Sequence, residues 1–442
     1  MHGWIDNASD IAIELGMQRA DVSLLYATAV ERWGIEADRR LIGSYCSVVE
    51  LPDGSLRLSR SPWTAPPLVY ANDSNHAVIA SVPRALFAAG VPQRLNLPRF
   101  ADNLFFNLTL TDEGWFEGTW RVPQGAVVTL TPGRRDVHRW YDPVAVSPVR
   151  LPSDDAYLEA AESLLGEATS KALSGAQRPA MALSGGLDSP IVAAEVLRRL
   201  PPEQVLRTFT AVPAKSWDGV VAPGLYGDEQ PWVERFAAMH PRLRPTFLDR
   251  PGGGFDDRAD DMMRAMGIGT RNFCNLQFFH AVFEAARVAG CDRLLDAEMG
   301  NDSFSNDARW SYVEFLRTGR WRQLKRLLAA RADDTRPMWR KVASLSLLRV
   351  MPAALRQAVR SLVHPERRGF EDLWHVVAPA AAERLALRER RGEGTVKFEY
   401  WRPVRSSSDT RTSAPISKRR RSGRALNKFT ASRAATWPPT VR

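Results

Sequence analysis

Residues 183–190, Leu-Ser-Gly-Gly-Leu-Asp-Ser-Pro, constrain the fold of this chain more than any other stretch. They follow a short apolar run, residues 179–183, that reads as a buried strand. They open residues 190–200, where Val192, Val196 and Leu200 share one helical face and Glu195, Arg198 and Arg199 lie off it. Gly185 and Gly186 let the backbone turn tightly and approach a ligand closely. Ser189 suits the N-cap of the helix and Pro190 its first position. The free N–H groups and the positive end of the helix dipole then face the loop. A phosphate chain is the natural guest, and Asp188 is the natural holder of its magnesium. No Gly-Lys-Ser/Thr follows the glycines, so this is not the lysine-bearing phosphate loop. The bland alternative is a plain glycine-rich turn.

Strand and helix alternate around this loop. Residues 157–173, 231–239 and 276–288 read as helices, and residues 206–212 and 293–296 as strands. This predicts an α/β fold with a doubly wound parallel sheet over residues 151–390. Residues 310–390 are rich in Leu, Ala and Arg and read as helical. Residues 1–150 read as β-rich instead. Runs at 40–51 and 55–59 flank Pro52-Asp53-Gly54, a hairpin turn, and further short strands fall at 68–71, 76–81 and 126–130. Residues 144–155 read as a linker. From about 391 to 442 the chain becomes a basic Ser/Thr/Arg-rich tail, expected to be disordered.

Charge and cysteine content exclude several classes. The chain of 442 residues carries a formal net charge of +10. Residues 401–442 hold eleven Lys or Arg and one acid, Asp409, a surplus equal to the whole net charge. Residues 1–400 are therefore neutral, and no specific nucleic-acid partner is expected. No apolar run approaches the roughly 18–20 residues of a membrane helix. The first residues are acidic where a signal peptide needs basic ones, so no membrane partner is expected either. Cys46, Cys274 and Cys291 are too few and too scattered for a disulfide scaffold or a paired-cysteine zinc site. They fit a reducing, cytoplasmic location.

Ser-Gly-Gly-Leu-Asp-Ser resembles the signature of the PP-loop ATP pyrophosphatases, and the longer run resembles the asparagine synthetase group. The resemblance implies a PP-loop (HUP-like) synthetase domain that uses ATP and Mg2+, adenylates a carboxylate, and joins it to an amine with release of AMP and pyrophosphate. Leu183, Ser184, Gly185, Gly186, Leu187, Asp188 and Ser189 would then hold the nucleotide, with Ala211, at the end of the 206–212 strand, near the adenine. Residues 294–302 are similar to the family's second signature, which is usually Leu-Ser-Gly-Glu-Gly-x-Asp-Glu. On that pattern Ala297 and Gly300 join the nucleotide site, and Asp302 becomes the second metal carboxylate beside Asp188. A loop-capping role for Asp302 stays open. Asp228-Glu229 resembles the family's acidic pair after the second strand, and equally suits a helix start.

There are departures from the pattern. The usual Glu of the second signature falls on Met299, and the usual second Gly on Glu298. Either Glu298 acts catalytically after a local shift, or the site handles something other than ammonia and aspartate. Residues 1–150 resemble a shortened, inactive Ntn-type (class II) glutaminase domain. Position 2, the family's nucleophilic cysteine, is His2; the preceding strands are missing; and Cys46 reads as core. Asp21 aligns with that domain's glutamine-binding Asp. The segment around Arg402-Pro403 does not continue the family's basic C-terminal pattern, so the end of the chain is either a genuine tail or an out-of-frame replacement.

Three readings follow. The first is an asparagine synthase-related ligase acting on small-molecule or peptide carboxylates and amines. Within it stands a lasso-peptide-type macrolactam cyclase, whose partner would be a precursor peptide. The second is a truncated, non-catalytic nucleotide-binding protein. The third, a nucleic-acid-modifying PP-loop enzyme using the tail, lacks the paired cysteines of thiolating members.

Overall fold

The computed structural model describes residues 1–390 except 19–20, 105–110, 144, 148, 222–225, 250–257, 268–275, 299, 301–302, 306–310, 332–333, 353–354, 357, 360–361 and 363–376. Residues 391–442, the expected tail, lie outside the described residues.

Two antiparallel sheets occupy the first 140 residues. One runs in the order β1 (His2–Ile5), β2 (Gly43–Glu50), β3 (Leu56–Arg60), β7 (Ala126–Thr131) and β8 (Arg134–Arg139). The other places β4 (Val69–Asn72) between β5 (Ala77–Ala80) and β6 (Thr119–Arg121). The expected hairpin is present, with Cys46 opposite Arg60 and Glu50 opposite Leu56. The pleat of β2 sends alternate side chains to opposite faces. Cys46 joins Leu58, Tyr70, Val122, Val128 and Leu130 in one core, while Tyr45 joins Ile5, Tyr26 and Ala29 beneath α1 (Ala8–Glu14), α2 (Val22–Trp33) and α3 (Ala37–Arg40).

The expectation that the first strands are missing is corrected by β1. Its four residues, His-Gly-Trp-Ile, are too short to show a period. It pairs with β2 so closely that a Cβ on Gly3, where φ is +113°, would lie 2.1 Å from the Ser44 carbonyl oxygen.

Between β2 and the helices lies a buried polar cluster. Fully buried Asp38 accepts hydrogen bonds from Tyr26 Oη (3.0 Å), Tyr45 Oη (2.8 Å) and Ser59 Oγ (2.6 Å), and pairs with the Arg57 guanidinium. A buried charge needs such partners.

The second half contains the predicted parallel sheet, in the order β11 (Leu243–Asp249), β10 (Leu206–Val212), β9 (Pro179–Ala182) and β12 (Arg293–Leu295). Residues of α6 (Asp154–Leu173), α7 (Asp188–Arg199) and α8 (Gln230–Met239) pack on one face with Met181, Leu206 and Leu295. Val282 and Ala286 of α10 (Leu276–Val288) cover the other with Ala180, Phe209 and Leu294. Helices on both faces make the sheet doubly wound. β11 carries no clear signal in the sequence because Arg244 and Pro245 interrupt it. It is the edge strand, where a missing N–H is tolerated.

The two halves touch at several points. Lys171 Nζ donates to the Asp6 carbonyl oxygen at 3.0 Å. α4 (Pro83–Ala88) meets α9 (Ala259–Met266), and a Cβ on Gly267 would lie 2.7 Å from the Arg84 nitrogen. Beyond β12 come α11 (Ser311–Arg317), α12 (Trp321–Ala329) and α13 (Met338–Val342), around Tyr312, Leu324 and Leu328. Helices Pro379–Arg384 and Leu387–Arg390 then return to α5 (Leu97–Leu104): Ala382 and Leu387 pack on Ala101, and Arg390 pairs with fully buried Asp102. Among the described residues no helix is long and apolar enough to cross a membrane.

Candidate nucleotide site

β9 lies inside the sheet, with β10 on one side and β12 on the other. The connections from β9 and β12 diverge here, making the crevice at the carboxyl end of the strands the place where α/β sheets take ligands. The residues after β9 are pinned at their start. Leu183, buried, donates its N–H to the Phe209 carbonyl at 3.0 Å and accepts from Thr210 Oγ1 at 2.8 Å.

The loop is then closed by its own serines. Ser184 donates its N–H to Ser189 Oγ at 2.8 Å, and the two hydroxyls are 2.8 Å apart. This corrects the expected cap. The helix begins at Asp188, with Leu187 at its N-cap and no side-chain bond there. Ser189 sits inside the first turn, so its hydroxyl holds the loop rather than capping the helix. Pro190 stays harmless because the N–H groups of a first turn have no helical acceptor.

Neither Gly185 nor Gly186 adopts a positive φ. What demands small residues is space. A Cβ on Gly185 would lie 3.1 Å from Trp232 Cβ and 3.3 Å from Glu229 Cβ. Among the described residues a Cβ on Gly186 would meet only Ser184 Oγ, at 3.5 Å. Leu187 is exposed. The Gly185 N–H donates to Glu229 Oε2 at 3.3 Å, so the loop amide already donates to an anionic oxygen. The acidic pair thus divides its work: Asp228 Oδ1 accepts from the Gln230 N–H at 2.9 Å at the helix start, while Glu229 reaches the loop.

Asp188 is half-buried, and its buried Oδ1 has no hydrogen-bond partner among the described residues. Buried Gly300 lies against it: a Cβ there would sit 2.4 Å from Asp188 Cγ and 2.5 Å from Oδ2. The loop after β12 is held in that position by the Gly300 N–H bond to the Ala297 carbonyl (3.1 Å) and by the Ser303 N–H donating back to Gly300 (2.9 Å). A buried carboxylate oxygen without a partner is costly, and a hard cation supplies what it lacks. Among the described residues Asp188 is the one carboxylate placed to meet such a cation here, and no group of three or more His, Cys, Asp or Glu gathers around it.

The remaining predicted residues are placed unevenly. Ala211, half-buried, is the next-to-last residue of β10. Ala297 is half-buried and packs on the core cluster beneath α7. Glu298 is exposed, with its N–H donating to Asp296 Oδ1 at 3.0 Å. Asp302 and Met299 lie outside the described residues, as does Cys274. Asp21 caps α2, accepting the Ser23 N–H at 2.7 Å, and that bond holds its carboxyl below the usual range. Cys46 and Cys291 are free, and burial pushes both thiols up. Trp232, wedged against Gly185, was missed by sequence reasoning. Only its place three residues after Glu229 hints at it.

The sequence profile described as asparagine synthase matches residues 160–439. This chain belongs to the asparagine synthase family. Solved structures similar to it include a glutamine phosphoribosylpyrophosphate amidotransferase from B. subtilis complexed with ADP and GMP. The identity is 12%, over 62% of this chain and 73% of that one, with a TM-score of 0.25. An NH3-dependent NAD synthetase from Campylobacter jejuni shares 10% identity over 53% of this chain and 93% of that one, with a TM-score of 0.23. Likeness this low says nothing of chemistry. Among curated proteins none matches. Family membership makes the chain an ATP-dependent amide-forming ligase in general terms.

Proposed function

We propose that the protein binds Mg-ATP at the loop Ser184–Ser189, adenylates a substrate carboxylate, and passes the acyl group to an amine, releasing AMP and pyrophosphate. The observation that carries this reading is the buried, partnerless Asp188 Oδ1 at the mouth of the loop, enclosed by Gly300.

Each residue has a defined task in this scheme. The amides of the loop and the amino end of α7 orient the phosphate chain. Gly186, open on its outer side, lets that chain approach the backbone. Asp188, with Asp302 from the family pattern, would hold the magnesium, which neutralises the charge on the leaving pyrophosphate. The attacking group is the substrate's own carboxylate, so no side chain becomes covalently modified. Glutamine hydrolysis is not part of this proposal: the thiols at Cys46 and Cys291 are shifted away from the thiolate that a nucleophile requires.

Pyrophosphate release measured against aspartate, small amino acids and peptides encoded beside the gene tests the scheme. AMP is the expected nucleotide product, and Asp188→Ala is expected to remove turnover while leaving the fold intact. ADP as product would rule the mechanism out.

A further inference from the structure

The neutrality of residues 1–400 conceals a separation of charge. Residues 151–316 carry 24 acids against 16 Lys or Arg, whereas residues 317–349 carry two acids against ten Lys or Arg. α12 shows how the second group is displayed. Leu324 and Leu328, one turn apart, are 1% and 0% exposed and pack with Tyr312, Phe315 and Met338. With that face turned inward, Arg322, Lys325 and Arg326 are exposed, as are Arg317 and Arg320 just before the helix. Among the described residues none of these five forms an ion pair; Arg320 lies over the Phe315 ring at 4.8 Å. Two large exposed rings are carried by α12 and the helix packed on it, α13. Trp321, opening α12, is 58% exposed, and Trp339 of α13 is 66% exposed, with Arg340 at 5.1 Å from its ring centre. α12 packs on both α11 and α13, so the rings belong to one helical layer.

Crowded unpaired cations repel one another, and an external polyanion relieves that repulsion. The tryptophans indicate which polyanion. A membrane-surface helix lays its apolar face into lipid, and the apolar face of α12 is already buried. Duplex phosphates would engage the cations and leave the rings idle. Cations interleaved with exposed rings on which bases stack are the features that hold single strands.

We propose that the α11–α13 layer binds single-stranded nucleic acid, with Arg317, Arg320, Arg322, Lys325 and Arg326 on the phosphates and Trp321 and Trp339 stacking on bases. The layer shares no residue with the nucleotide site, so it stands or falls separately from the ligase reading.

Fluorescence anisotropy of the full chain with a labelled 20-residue oligo(dT), across a range of salt, tests this. Five phosphate contacts predict a slope of log K against log salt near about −3.5. The triple variant Arg322→Glu, Lys325→Glu, Arg326→Glu is expected to lower that slope by about 2 and the affinity more than about tenfold. The basic residues 401–442 also attract phosphates, so stacking supplies the discriminating arm. Trp321→Ala and Trp339→Ala are each expected to weaken oligo(dT) binding about 5- to 100-fold, leaving the slope and the binding of an abasic strand unchanged. Both rings are exposed, so these variants keep the test valid should the charge-reversed one not fold. Undiminished oligo(dT) binding in the tryptophan variants would overturn the proposal, as would equal wild-type affinity for the abasic strand or for anionic vesicles.

Discussion

At the scale of single residues, the site rests on small groups that leave room for something else. Gly300 is the sharpest case, because a methyl group there would overlap the Asp188 carboxyl at 2.4 Å. Gly300→Ala must displace either the loop or the carboxylate, at a cost of about 1–3 kcal/mol in stability. It is expected to weaken Mg-ATP binding at least about tenfold by calorimetry; unchanged affinity would mean that Asp188 does not face the nucleotide. The sequence suggests glycine at 185 and 186 for a tight turn and for close approach to a ligand. Neither has a positive φ; Gly185 is fixed by contact with Trp232, which was not legible, while the open outer side of Gly186 leaves room for the expected approach. A tertiary neighbour 47 residues away in sequence leaves no trace in local spacing.

At the scale of elements, the strands and helices with a clear period were readable, and the exceptions have physical causes. β1 is held by a partner rather than by its own pattern, and Pro245 disguises an edge strand. The start of α7 moved because Ser189 serves the loop. The buried cluster joining α2 and α3 to β2 and β3 was not legible at all, since its charged and hydroxyl members come together only in the fold. It makes a pH prediction. Burial and the Asp38 charge push the Tyr26 and Tyr45 phenols above their ordinary value of 10.0. Above about pH 10 the unfolded chain releases these protons and the folded chain keeps them. Stability should therefore be unaffected by this pair below pH 10 and decline above it, each tyrosine contributing about 1.4 kcal/mol per pH unit. Tyr45→Phe should lower stability at pH 7 by about 1–3 kcal/mol through the lost Asp38 hydrogen bond, yet flatten the alkaline decline. Urea unfolding from pH 7 to 11.5 reads both effects; an equally steep decline in the variant would contradict this account.

At the scale of the whole molecule, the parallel sheet gathers on one crevice segments that lie far apart in the sequence: the loop after β9, Glu229 before α8, and Gly300 after β12. The loop and the second signature were legible because each keeps its local pattern; Glu229's reach to Gly185 was not. The central claim is that this crevice binds a nucleotide, and Gly186 isolates it, because a Cβ there meets only Ser184 Oγ among the described residues and would project into the space assigned to the phosphates. Calorimetric titration of Mg-ATP into the wild-type chain and Gly186→Val, with melting temperatures compared, tests it most directly. The account predicts saturable binding by the wild type and at least about 100-fold weaker binding by the variant, roughly 2.7 kcal/mol, at matched melting temperature. Equal affinity in the two proteins would contradict it.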